Sequence, residues 1–277
     1  MGSFVGHVIP GGFFVIWAIW SACYIFHRYF TGLARNKNAV FTSSTRFTGI
    51  ILKCLPLDAA LKLLLPVIGI FGEAFGSHGI GPNNIQHMTM YTAFAVHAVS
   101  ELLQSYRRSA LPVTLPTAYL TLILAYTAEA LLFMFHVHGR SMLDMQVHTL
   151  LVYAIWLCVV ATIAEVAWPN SLLLPVTRAY GTLLQGVWFM VVAFILYNPQ
   201  PGAVPWKGDD HGKMMLVTNI FIWVALGCFV LLSVICYLVK GVAGRVGSGR
   251  LRSAGIGNGS GAGDAASMEL LTNDEWQ

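Results

Sequence analysis

The apolar residues of this chain gather into long runs, without the strict alternation or one-sided striping of a soluble fold. Seven of these runs approach the roughly 20 residues that a helix needs to cross a bilayer. They lie at about 9–29, 54–74, 86–105, 115–136, 147–168, 172–197 and 214–240. The pattern predicts an all-α, polytopic membrane protein, a seven-transmembrane-helix bundle occupying residues 1–243. The second run is the most interrupted, by Asp58, Lys62 and Pro66. Asp58 and Lys62 stand i, i+4, so they can pair on one face near a helix end, where a lysine reaches the headgroups. Residues 1–10 carry no Lys or Arg, which argues for a permanent first helix over a cleaved signal peptide. Beyond residue 243 the chain turns to Gly, Ser and Ala and then to Glu269, Asp274 and Glu275, the composition expected of a disordered cytosolic tail over 244–277.

Composition narrows the function classes. With 56% hydrophobic and 10% charged residues the chain is too apolar for a soluble globule, and a net charge of +4 scattered among apolar runs does not suit a nucleic-acid binder. The five cysteines all fall inside apolar runs and read as small hydrophobes. No phosphate-binding glycine loop, serine-hydrolase elbow or Cys-x-x-Cys pair is present. The basic residues decide an expected orientation. Placing the N-terminus in the lumen or outside puts twelve Lys and Arg on the cytosolic side, against three (Arg140, Lys207 and Lys213) on the other, with Lys62 embedded.

In that topology seven of the nine histidines, His7, His78, His87, His136, His138, His148 and His211, fall at the lumenal ends; His27 and His97 do not. Imidazole is the commonest metal ligand, so a layer of rings is a candidate metal site. Glu129 and His136 are seven apart and share a face of the fourth helix. His136 and His138 can both face one ion only if the helix ends there, which Gly139 permits. Asp144 and His148 stand i, i+4, so the carboxylate can orient the ring. Among the remaining intramembrane carboxylates, Glu101 and Glu165 read as structural ion-pair partners of Arg107, Arg108 or Arg178. Gln185 reads as interhelical glue. For any single histidine, interfacial anchoring is the simpler reading, and His78 and His211 stay with it.

Several motifs together are more specific. Phe4-x-Gly6-His7-x-x-Pro10-Gly11, Gln86-His87-x-Thr89-Met90-Tyr91, Glu129 followed by Phe135-His136-Val137-His138-x-Arg140, Leu143-Asp144-x-x-x-His148, and Gln185-Gly186-x-Trp188 resemble the transmembrane protein 45 family. That resemblance implies a multi-pass protein of unknown function in the Golgi and endosomal system, with the plasma membrane as the other location. The chain departs from the relatives at Val224, where they carry a histidine after the tryptophan, and at Ser141-Met142, where some carry Pro-Pro.

Two functions of different class fit these features. In the first, His136, His138 and His148 ligate zinc or iron with His7 or His87 as a fourth ligand, Asp144 orients His148, and Glu129 serves as general base for chemistry on a lipid. In the second, the chain is a non-catalytic membrane adaptor or trafficking protein in which the same polar groups fix helix register. Transport or reception ranks third, because no inverted repeat or pair of broken helices is visible. The bilayer itself is the one partner the sequence names.

Overall fold

The computed structural model describes residues 3–47, 57–76, 79–105, 115–137, 139–202, 204, 206, 208 and 210–257. Seven helices make up the fold: α1 (Phe4–Arg35), α2 (Leu57–Phe75), α3 (Pro82–Ser105), α4 (Leu115–His136), α5 (Met142–Ala167), α6 (Leu173–Tyr197) and α7 (His211–Gly257). Local chemistry sets several of their ends. The Ser3 side chain accepts from Gly6 N and caps α1, and Ser141 does the same for α5 through Asp144 N. Pro82 and Pro116 stand in first turns, where a missing N–H costs nothing. Gly139 turns the chain from α4 into α5 at a φ of 77°, a left-handed value that favours glycine.

α6 is the central helix. It packs on α1, α5 and α7, while α4 joins α5 to α3 and α3 carries α2. The α1–α6 seam is close because it is lined by glycine: a Cβ on Gly186 would stand 2.7 Å from Val15 N and 2.8 Å from Gly11 O. Around it runs an aromatic core. Trp17 stacks on Tyr126 with ring centres 6.2 Å apart, Phe14 stacks on Phe189 at 6.1 Å, and the edge of Phe94 meets Phe14 and Trp17. The Trp188 indole donates to Val147 O at 2.8 Å, tying α6 to α5.

Of the seven helices, α1, α4, α5, α6 and α7 are long and apolar enough to cross a membrane. The other two depart from the expected seven spans for a physical reason. α2 carries Asp58, Lys62 and Glu73, and α3 carries His87, His97 and Glu101, but many of these groups face one another across the α2–α3 contact. Lys62 does not reach toward headgroups. It is 4% exposed, and its Nζ donates to Asp58 Oδ2 at 2.8 Å, Glu101 Oε2 at 2.8 Å and Thr45 O at 2.9 Å. Glu101 therefore has Lys62 as its cation; Arg107 and Arg108 lie outside the described residues.

The segment after α1 closes the end of the bundle opposite the histidines. Residues 43–47 form a strap in which Ser43, Thr45 and Phe47 are buried. Ser43 N donates to Pro169 O at 2.7 Å, and its hydroxyl donates to Glu165 Oε2 while accepting from Tyr119 at 2.9 Å. Arg178 Nε donates to Glu165 Oε1 at 2.6 Å, and its Nη2 reaches Ser44 O at 3.3 Å. α7 continues to Gly257, past residue 244, where the composition changes. The rest of the expected tail lies outside the described residues.

Candidate functional site

Four of the sequence-selected histidines come together at one end of the bundle. His87 lies in the second turn of α3, His136 ends α4, His148 lies in the second turn of α5 and His7 in the first turn of α1. The rings form a row: His87 to His136 is 5.4 Å between ring centres, His136 to His148 is 6.0 Å and His148 to His7 is 6.0 Å. Tyr197 at the end of α6 closes it, 5.1 Å from His7. Phe133 and Phe189 supply the apolar floor.

Each ring is held through the same nitrogen. His7 Nδ1 donates to Ser3 O at 2.9 Å, His87 Nδ1 to Glu73 Oε1 at 2.9 Å, and His148 Nδ1 to Asp144 O at 2.8 Å, with Asp144 Oδ1 lying 2.9 Å from the same nitrogen. For His136 the partners fix the tautomer. Arg140 Nη2 can only donate, and lies 2.6 Å from Nε2, so Nδ1 carries the hydrogen and donates to Gln86 Oε1 at 2.5 Å. Four imidazoles with Nδ1–H anchored by an oxygen is the arrangement in which metal-binding histidines are usually held.

Arg140 sits in the middle of the row. Besides His136 Nε2, its guanidinium donates to His136 O at 3.1 Å and Asp144 Oδ2 at 3.0 Å, and it bonds to the Tyr197 hydroxyl. Two imidazoles sharing one ion at about 2 Å from each nitrogen stand with ring centres about 5 Å apart, so the observed pairs are near that separation. The rings are nevertheless strung along a line, and among the described residues no three His, Cys, Asp or Glu surround a common point. His138 lies outside the described residues, as does His78.

Glu129 is not part of this row. It is buried in α4, seven residues and therefore about 10 Å below His136, and Gln185 Nε2 donates to its Oε1 at 2.5 Å. A general base must come within hydrogen-bond reach of the proton it takes, so this position does not serve the histidines. Glu165 and Glu101 belong to the opposite end, paired with Arg178 and Lys62. Sequence reasoning missed Glu73, Gln86, Tyr197 and the central role of Arg140. Glu73 and Gln86 were findable: one lies in the last turn of α2 and the other directly precedes His87.

The model of a family of unknown function (DUF716) matches residues 116–238, which run from the first turn of α4 into α7. Transmembrane epididymal protein 1 of Rattus norvegicus is 26% identical over 251 residues, covering 86% of this chain and 79% of that protein. Transmembrane epididymal protein 1A of Mus musculus is 25% identical over 250 residues with the same coverage, 86% and 79%. Transmembrane epididymal protein 1 of Homo sapiens is 30% identical over 145 residues, 51% of each chain. The chain is similar to the transmembrane epididymal proteins. This corrects the expected resemblance to the transmembrane protein 45 family: the relatives named above are transmembrane epididymal proteins and the family model is DUF716. The Golgi and endosomal location implied by that resemblance loses its support with it. The chain is an integral, multi-pass membrane protein of unassigned activity.

Proposed function

We propose that the histidine end of the bundle binds a divalent transition-metal ion, with His136 and His148 as the central ligands and His87 and His7 flanking them. The observation that carries this reading is the common anchoring of all four Nδ1 atoms, which presents Nε2 as the nitrogen left for a ligand in His7, His87 and His148. Arg140 holds a positive charge against His136 Nε2 and Asp144 and stands where an ion's charge would be felt, so metal entry requires its side chain to leave. Zinc or iron suits imidazole and carboxylate donors, and a zinc ion with an open position supplies an activated water for chemistry on a lipid. The twelve-to-three division of basic residues supports an N-terminus in the lumen or outside, so the ion would arrive from the non-cytosolic side.

The Arg140 contacts also favour a second reading. A row already satisfied by Gln86, Glu73, Asp144 and Arg140 can serve as polar glue between helices of a non-catalytic membrane adaptor. Elemental analysis separates the two. Full-length protein in mild detergent, incubated with zinc and freed of excess, should retain stoichiometric metal that His148→Ala and His136→Ala lose while remaining monodisperse. Folded wild type that holds no metal after the same treatment sets the first reading aside and leaves the second.

A further inference from the structure

Among the described residues, the buried charge at the other end of the bundle does not balance. Among the described residues Lys62 is the one cation bonded to both Asp58 and Glu101, and its three N–H groups are all used, on Asp58 Oδ2, Glu101 Oε2 and Thr45 O. Arg178 is committed to Glu165. One carboxylate charge is left over on α2 and α3, in a place where an unpaired charge is costly.

The atoms without partners show where it is compensated. Glu101 Oε1 and His97 Nε2 are both buried without a hydrogen bond, and they face each other at 3.4 Å. On the other side of the ring, His97 Nδ1 lies 3.2 Å from Thr121 Oγ1. The Thr121 hydroxyl can turn its hydrogen to the Thr117 or Ala118 carbonyl or to Ser100 Oγ, and the ring itself bonds to the Ala118 carbonyl, which only accepts; with Nε2 unpartnered, this assigns the hydrogen to Nδ1. With Nδ1 protonated, Nε2 turns a lone pair toward a carboxylate oxygen. Two acceptors pointed at each other in a sealed interior are repulsive unless a hydrogen stands between them.

We infer that His97 and Glu101 form a proton-binding site, holding one proton between Nε2 and Oε1. The bound proton satisfies both orphaned atoms and brings the sum of Asp58, Lys62, Glu101 and His97 to zero. The other groups that act on the ring are Lys62 from α2 and Arg178 from α6, both cations; Asp58 lies beside Glu101, and Tyr119 and Glu165 lie around Arg178. Because Glu101 Oε2 accepts from Lys62, and Lys62 holds Thr45 O, the site is wired to the strap that closes this end. Release of the proton would restore the unpaired charge under the strap.

Infrared difference spectroscopy of the full chain in lipid nanodiscs tests this, in a Glu129→Gln background that removes the carboxyl paired with Gln185. At neutral pH the parent should show a buried protonated-carboxyl or bridging-proton absorption, lost reversibly as the pH is raised. Glu101→Gln, whose amide can donate to His97 Nε2 and still accept from Lys62, should abolish the absorption and keep the midpoint of thermal unfolding within a few degrees. His97→Gln should abolish it too. A parent without the absorption, or a Glu101→Gln protein that retains it, overturns the inference. Should Glu101→Gln fail to fold, ring-15N labelling of the parent decides: a His97 Nε2 with no hydrogen-bond signature at any pH is the contrary result.

Discussion

Arg140 Nη2 stands 2.6 Å from His136 Nε2, so a permanently charged guanidinium occupies the lone pair that a metal ion would need. The same side chain neutralises Asp144, which in turn orients His148. On the proposed reading, Arg140 would compete with a metal for the centre of the imidazole row.

Removing that competitor should strengthen metal binding. Arg140→Gln is expected to raise zinc affinity about tenfold, equivalent to about 1.4 kcal/mol. Isothermal titration of zinc into the purified full-length variant and wild type checks this. Equal affinities would mean that the guanidinium does not obstruct the site.

Glu129 sits two turns below the row and is engaged by Gln185. Glu129→Gln should therefore leave metal content unchanged. Its stability should move by about 1 kcal/mol or less, since an amide can keep one hydrogen bond to Gln185. Metal analysis beside thermal unfolding reads both quantities. Loss of metal in this variant would bring Glu129 back as a participant.

The strap end predicts a large structural effect. Arg178 is almost fully buried, and its removal leaves Glu165 charged, with Ser43 and Tyr119 as its polar contacts. Arg178→Ala should cost about 3–5 kcal/mol, the usual penalty for stranding one partner of a buried pair. Ser43→Ala, which removes one hydroxyl from the same network, should cost about 1 kcal/mol. Thermal unfolding in detergent ranks the two, and the reverse order would mean that the strap contacts dominate over the ion pair.

The glycine seam gives a packing prediction. A methyl group on Gly186 would meet backbone atoms of α1 at 2.7 and 2.8 Å, which no side-chain rotation relieves. Gly186→Ala should destabilise the protein by about 1–3 kcal/mol through forced separation of α1 and α6. Gly227, with open space around it on α7, is the matched control, and Gly227→Ala should be neutral within about 0.5 kcal/mol.

Much of this architecture was legible in the sequence because a bilayer demands long apolar runs, and all seven expected helices form. The interruption of the second run was legible as well, but the pairing of Lys62 with Glu101 was not, since it joins residues 39 apart and no local spacing announces it. Asp58 and Lys62 were readable as i, i+4 partners, but their burial under the strap depends on Thr45 and Phe47 folding back from the α1–α2 connection. At the histidine end the short α4–α5 hairpin made His136 and His148 necessary neighbours. The approach of His7 and His87 depended on how α1 and α3 pack, and only coordinates give that. Arg140 entered the sequence reading only as a basic residue of the non-cytosolic side and a motif position; its place among the rings depends on how the α4–α5 turn folds.

X-ray absorption at the zinc edge, on full-length protein loaded with zinc and washed free of excess, tests the central claim most directly. The account predicts a first shell containing at least two nitrogen donors with the outer-ring scattering of imidazole, reduced by His148→Ala. A shell of oxygen alone, or zinc that washes away entirely from folded protein, would contradict it and leave the histidine row as a hydrogen-bonded joint between helices.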